Sequence, residues 1–174
     1  MEPRSFKASY SLTTWIITVI VIAIIYIPAI ALIIPSIQTG SLQLDQLREV
    51  AVAIVLLLFV PAIGLFAPIK FSVDSLGVTV CRIGPNVVIP ADSIVEVRRV
   101  CLRCVWRTCG VGGLFGSWGW FRGAPLGSFR GYMTRKSNCV ALIRKGKPPV
   151  VVTPIDPDTF VDAVKTAFHL NRVS

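Results

Sequence analysis

The sequence predicts a two-helix transmembrane hairpin, followed by an all-β sandwich or barrel that is capped by a C-terminal α-helix. Three observations indicate this fold class. Two long apolar runs without a charged residue lie within the first 70 of the 174 residues. The residues after them change to the alternating pattern of short β-strands separated by turn signals. One amphipathic helical pattern follows the last of these strands.

The two apolar runs, Trp15–Ile34 and Val50–Ala67, are each long enough to cross a bilayer. A helix rises about 1.5 Å per residue, so about twenty residues match the roughly 30 Å hydrocarbon core. Neither run alternates apolar and polar faces, as a surface helix of a soluble protein does. The sequence therefore predicts membrane spans at about 15–34 and 50–67, within an N-terminal membrane hairpin at 1–69.

A cleavable secretory signal is the alternative interpretation of the first run. Ala29-Ile30-Ala31 has the small-x-small form of a cleavage site. The apolar stretch continues to Ile34, however, and a second apolar run follows it, so an uncleaved anchor fits the sequence better. Both runs lack Asp, Glu, Lys, Arg and His. Ion and proton pathways depend on those residues, so the composition argues against transport.

Charge is concentrated in residues 70–174. This part holds 15 of the 18 Lys and Arg residues and 6 of the 9 Asp and Glu residues, a balance of +9, whereas 1–69 is neutral. The loop 36–49 between the runs has one basic residue, Arg48. Cytoplasmic flanks carry the excess of Lys and Arg. We therefore expect a multi-pass protein of the plasma or inner membrane with both termini cytoplasmic and the loop 36–49 outside.

The β-strands are predicted from alternation and turn signals. Alternation over 69–74 and 78–83 around Asp74-Ser75-Leu76-Gly77 predicts a β-hairpin. A short strand at 87–90 and one long strand at 94–106, with an apolar and a basic face, follow. Eight glycines among aromatic residues between Gly110 and Gly131 predict bulges and tight turns around core aromatics. Later strands are predicted at 132–134, 139–143 and 150–152.

The C-terminal helix is predicted from its first turn. Asp156 is a good N-cap, Pro157 suits the first helical position, and Asp158 suits the positive end of the helix dipole. The apolar residues that follow share one stripe: Phe160, Val161, Val164, Ala167 and Phe168.

Three stretches resemble the bacterial pleckstrin-homology (PH) domains found behind two membrane spans in small proteins of unknown function. They are the proline-and-turn strand 89–97, the glycine and aromatic run 113–121 with its continuation to 135, and the segment 151–161. The resemblance covers about 68–170. It implies a PH-like fold, with about seven antiparallel strands in two sheets and a C-terminal helix, for the domain at 70–174 that the charge distribution places in the cytoplasm. It implies no activity, because the family is not defined by one.

Eukaryotic PH domains often bind phosphoinositides through a basic first hairpin loop. The corresponding loop here, 74–77, has no Lys or Arg. Lipid recognition therefore does not follow from the resemblance.

The cysteine pattern supports an alternative, a thiol- or metal-dependent regulatory protein that uses Cys101, Cys104 and Cys109. A zinc site needs four converging ligands. A second C-x-x-C is missing, and the single histidine, His169, lies in the terminal helix. Two cysteines three residues apart on one extended strand point to opposite faces. No metal site, cofactor or catalytic residue is therefore predicted.

The basic face of the long predicted strand is the feature that points to a function. Arg99, Arg103 and Arg107 are predicted to form a contact surface, because each cation near an anionic leaflet contributes about 1 kcal/mol. Positive-inside bias and solubility explain the same charges equally well. The expected partners are the bilayer and either anionic lipid headgroups or a protein, and the membrane hairpin disfavours nucleic acid. We expect a membrane-anchored binding or scaffolding module rather than an enzyme. The sequence does not predict its oligomeric state.

Overall fold

The computed structural model describes residues 4–39, 44–135 and 137–170. Two long helices, α1 (Leu12–Thr39) and α2 (Leu44–Gly64), pack against each other. By length and composition they can cross a membrane over Leu12–Ile34 and Leu47–Gly64, and 11% of an 18-residue window within each stretch is buried. This low burial of apolar residues is consistent with membrane anchoring. α2 ends three residues before the predicted limit at 67, and residues 40–43 of the predicted loop lie outside the described residues.

A hydrogen bond from α1 replaces the backbone donor that a proline within α2 lacks. Pro61 lies inside α2 and has no N–H to donate to the carbonyl of Leu57. The Tyr26 hydroxyl on α1 donates to that carbonyl at 3.0 Å. The two helices are therefore joined where the α2 backbone lacks its own partner.

The first sheet has four antiparallel strands. They are β1 (Arg4–Lys7), β2 (Lys70–Asp74), β3 (Gly77–Cys81) and β4 (Val87–Pro90), which pair in that order. β2 and β3 form the hairpin predicted from the sequence. A 3₁₀ turn at Ala91–Ser93 follows β4.

The strand β1 is not predicted by the sequence. It pairs with β2 from Arg4 opposite Val73 to Lys7 opposite Lys70. The chain thus enters α1 from this sheet and returns to the same sheet after α2. The Tyr10 hydroxyl, which donates to the carbonyl of Pro68 at 2.9 Å, ties the two connections together.

The second sheet has six strands. They are β5 (Ile94–Val100), β6 (Arg103–Gly112), β7 (Ser117–Ala124), β8 (Gly127–Met133), β9 (Cys139–Arg144) and β10 (Lys147–Val152). Their order across the sheet is β5-β9-β10-β8-β7-β6, and the pair β8–β10 is parallel. With α3 (Pro157–Phe168), the predicted fold class is confirmed: two helices, a β-sandwich of two mostly antiparallel sheets and a C-terminal helix. The described domain has more strands than the seven expected.

The main core lies between the two sheets and under α3. Phe160 of α3 is fully buried there and meets Phe6 of β1 edge to face, with ring centroids 5.2 Å apart. The predicted cap is present, because the Asp156 carboxylate accepts from the Thr159 backbone N–H at 3.3 Å. A smaller core forms on the opposite face of the six-stranded sheet; it contains Phe121, Phe129, Met133, Cys139, Ala141 and Val151.

The single strand predicted over 94–106 is wrong. β5 ends at Val100 and β6 begins at Arg103, and the two strands form opposite edges of the six-stranded sheet. Cys101 and Leu102 alone connect them. An extended chain spans at most about 3.6 Å per residue, so the sheet must curl until these edges approach. The alternating pattern continues through the break, but the two halves, β5 and β6, pair with different strands.

The glycine-rich segment forms longer regular strands than expected. Gly119 of β7 lies opposite Gly110 of β6 and Gly131 of β8. Gly119 has a φ of 131°, and a Cβ there would lie 2.3 Å from the Cys109 carbonyl oxygen. Glycine at this position therefore allows close approach of two backbones. The two register shifts of β6 lie before the glycines, at 103–106 and 107–109, so the pairing of the described strands places no bulge at the glycines themselves.

Candidate interaction surface

Arg99 lies on β5 and is held by the terminal helix. Its Nη1 donates to both carboxylate oxygens of Asp158, each at 3.0 Å. The two side chains are 51% and 69% exposed. Such a solvated ion pair contributes no more than about 1 kcal/mol to stability. It nevertheless orients the guanidinium and offsets part of its charge.

Arg103 begins β6 and lines an open groove where β5 passes into β6. The groove encloses about 390 Å³ and is lined by Arg98, Arg99, Val100, Cys101, Arg103, Ala124 and Pro125. Arg98 has an ion pair with Glu96, at 3.5 Å. Among the described residues, no carboxylate pairs with Arg103. The groove therefore combines two partly compensated guanidinium groups with one uncompensated group.

Arg107 lies on the other face of β6 from Arg103. Arg103 is opposite Ala124, whereas Arg107 is opposite Phe121, three residues earlier on β7. Residues that lie opposite each other in an antiparallel pair share a face, and Ala124 and Phe121 are an odd number of residues apart on β7. The register shift in β6 therefore places Arg103 and Arg107 on opposite faces. The Arg107 guanidinium extends over Gly112, where a Cβ would lie 2.8 Å from Nη1. The structure thus brings Arg99 and Arg103 to one groove and places Arg107 away from it.

The contact surface predicted from the sequence did not include Arg98. Arg98 lines the groove beside its neighbour Arg99. The sequence feature that could have pointed to it is the absence of acidic residues in the segment that follows Glu96. Between Glu96 and Asp156 the sequence has eleven Lys and Arg residues and no Asp or Glu. This acid-free segment contains β6 to β10, so five of the six strands of the second sheet contain no acidic residue.

The strand β6 is a long exposed edge. It pairs with β7, and no described strand pairs with its other side. Every residue from Arg103 to Gly110 is exposed, including the apolar side chains of Val105 (41%) and Trp106 (76%). Trp106 lies opposite Arg122. The edge therefore combines free backbone groups, cations and a large exposed aromatic ring.

The turn between β6 and β7 contacts both apolar helices. The backbone N–H of Phe115 donates to Thr18 Oγ1 of α1 at 3.1 Å. Its ring lies against α2, 3.3 Å from where a Cβ on Gly64 would be. Nearby, Thr14 Oγ1 donates to the carbonyl of Thr134 at 3.0 Å. The β-domain is therefore fixed to the start of α1 and the end of α2.

Comparison with protein families identifies the domain that follows the helices. The family described as the bacterial PH domain matches residues 69–168, which is more than half of the chain. The chain belongs to the bacterial PH domain family. The match confirms the resemblance found in the sequence and the position of the domain directly after two apolar helices. Comparisons with curated proteins and with solved structures gave no match.

The first hairpin loop of this bacterial PH domain is occupied by its own carboxylate. Asp74 Oδ1 accepts from the backbone N–H groups of Leu76, at 2.9 Å, and Gly77, at 3.0 Å. These are the donors that an anion in the loop would use, and the loop contains no cation. The loop is thus built as a self-contained turn.

The cysteines of this bacterial PH domain differ in accessibility. Cys101, Cys104 and Cys109 are exposed. Burial, with a smaller contribution from nearby Cys101, raises the pKa of the Cys139 thiol to about 11. Because the thiolate is the nucleophile and metal ligand, this shift disfavours reaction of Cys139 near neutral pH.

The premise that Cys101 and Cys104 share one extended strand is wrong, because the chain breaks at 101–102 and Cys104 has a φ of 50°. Even so, no three His, Cys, Asp or Glu side chains of 4–39, 44–135 and 137–170 are placed to hold a metal ion. His169 lies at the C-cap of α3 in the left-handed conformation. The described residues give no support to the thiol- or metal-dependent alternative.

Proposed function

We propose that this bacterial PH domain protein is a membrane-anchored binding or scaffolding module without catalytic activity. It displays a basic β-domain at the cytoplasmic surface of the plasma or inner membrane. One observation carries the proposal: a domain that contains an acid-free segment with eleven cations follows two apolar helices in the chain. The family match supports it, because this family is not defined by an enzymatic activity.

The proposed contact surface contains Arg99, Arg103 and Arg107. Arg99 is oriented by α3, while Arg103 and Arg107 extend from the two faces of β6. The partner is a protein or the anionic headgroups of the membrane. Each Lys or Arg near an anionic leaflet contributes about 1 kcal/mol, so the surface would orient the domain as well as bind.

Site-specific photo-crosslinking in native membranes tests whether this surface is used. A photoreactive amino acid is placed at Val105 on β6 or, as a control, at Val88 on β4. Both side chains are exposed apolar residues, at 41% and 55%. We expect adducts with a defined partner, or with lipid, from Val105 and not from Val88. Equal adducts from both positions, or none, would contradict the proposed surface.

Protease protection tests the proposed orientation separately. α3 contains Lys165, which trypsin can reach only from the side of the membrane that carries the domain. We expect trypsin added to intact cells to leave the C-terminal helix uncut, and cleavage to follow permeabilisation. Cleavage in intact cells would place the domain on the opposite side.

A further inference from the structure

The β6 edge differs from the other sheet edges. β1 and β4 are four residues long, and β4 ends in a proline. β5 is covered in part by α3, which packs against it. β6 is ten residues long, its residues 103–110 are exposed, and no described strand pairs with its free side. It is thus the longest edge with free backbone N–H and C=O groups in the described part of the chain.

Edge strands of soluble proteins are often protected by charges and bulges, and β6 has both. Arg103 and Arg107 carry the charges, and the register shifts bend the strand. Protection alone does not require Trp106, whose side chain is 76% exposed beside these arginines. Aromatic and arginine side chains together are the composition of binding hot spots.

We infer that β6 binds an extended acidic segment of a partner protein, which adds to the six-stranded sheet as a seventh strand beside β6. Main-chain hydrogen bonds along the edge supply the pairing, as in other peptides that extend a sheet. Arg103 and Arg107, on opposite faces, each meet a carboxylate of the segment. This inference rests on the proposed function and specifies its partner class.

Charge complementarity selects this occupant. Neither Arg103 nor Arg107 has an ion-pair partner among the described residues, and the acid-free segment supplies none in sequence. A second copy of β6 would bring like charges together across the new strand pair, which is destabilising. A lipid headgroup could neutralise the arginines, but it could not pair with the row of backbone groups.

The experiment uses the full chain in zwitterionic detergent and a labelled ten-residue peptide. The peptide contains Thr, Val and two Glu-Glu pairs, so that carboxylates point to both faces of the strand. A second peptide of the same sequence is N-methylated at alternate backbone nitrogens. It keeps the charge but loses the donors along one edge. Fluorescence anisotropy measures affinity, and hydrogen exchange measures protection of the β6 amides.

We expect the unmodified peptide to bind and to protect amides of β6, and the N-methylated peptide to bind at least about tenfold more weakly. The variant R103E/R107E should also weaken binding by at least about tenfold. The control K145E/K147E makes the same charge change in the exposed β9–β10 turn and should change the affinity less than twofold. A W106A variant should weaken binding without changing net charge.

Several results would overturn the inference. Equal weakening by the two charge-reversal pairs would mean that the peptide senses only net charge. Equal binding of the N-methylated peptide would exclude strand pairing. Protection of β6 amides without peptide, together with a dimer in solution, would assign the edge to a second copy. If the peptide fails to bind but Val105 still crosslinks to lipid in membranes, the inference fails while the proposed function stands. Failure of both would remove the proposed function as well.

Discussion

The hydrogen bond between Tyr26 and Leu57 allows a sharp test of how the two apolar helices are held together. Pro61 deprives the Leu57 carbonyl of its usual donor, and the Tyr26 hydroxyl replaces that donor at 3.0 Å. Hydrogen bonds between membrane helices contribute about 0.6 kcal/mol on average and up to about 2 kcal/mol. A carbonyl left without a donor lies at the upper end of that range. We therefore expect Tyr26→Phe to destabilise the protein by about 1–2 kcal/mol.

The decisive measurement is a double-mutant cycle with Pro61→Ala. Alanine restores a backbone N–H that can donate to Leu57, so the cost of Tyr26→Phe should fall below about 0.7 kcal/mol in that background. Reversible unfolding in mixed micelles with increasing SDS, followed by tryptophan fluorescence, gives the free energies. Tyr10→Phe is the matched control: it also removes a hydroxyl bond to a backbone carbonyl, but its cost should be the same with and without Pro61→Ala. Equal costs of Tyr26→Phe in both backgrounds would show that the Tyr26 hydroxyl does not replace the donor that Pro61 removes from the Leu57 carbonyl.

Three further predictions concern the β-domain. Gly119→Ala should destabilise it by about 2–4 kcal/mol in thermal melts, because the new Cβ would meet a carbonyl oxygen at 2.3 Å. Gly127 also has a positive φ but has open space around it, so Gly127→Ala should cost only about 1–2 kcal/mol in the same measurement. Hydrogen bonds from Thr159 hold the pKa of Asp156 below its usual value, so its contribution to stability is present above the unfolded-state pKa and is lost as the pH falls through the folded-state pKa. Asp156→Asn should therefore flatten the acid limb of a plot of melting temperature against pH, and an unchanged limb would contradict this reasoning. Maleimide at neutral pH should modify the exposed cysteines of 101–109 in the native protein but reach Cys139 only after unfolding, as mass spectrometry of the labelled peptides would show.

Local signals in the sequence predicted the elements whose partners lie nearby. The hairpin of β2 and β3 followed from alternation around a turn whose Asp74 carboxylate accepts two backbone N–H groups. The start of α3 followed from its capping residue, and the two apolar helices followed from length and composition. In each case the interactions that fix the element connect residues close in sequence.

The features that the sequence could not predict depend on distant residues. β1 is four residues long and pairs with β2, which follows both helices. The break at 101–102 leaves the alternating pattern intact, because each half still has one apolar face. The positions of Arg103 and Arg107 depend on register shifts against β7. Such shifts are set by backbone pairing, which a residue pattern on one strand does not contain.

The position of β1 affects the order in which the first sheet folds and the design of truncated versions of the protein. Residues 4–7 leave the ribosome before both helices, yet their partners in β2 are made only after them. The first sheet can therefore be completed only after both helices have been synthesised. A truncated version that starts at residue 70 would lack this strand, expose the backbone edge of β2 and remove the ring of Phe6 from Phe160. Grafting residues 4–9 through a short linker onto the start of β2 would restore that closure in a version without the helices.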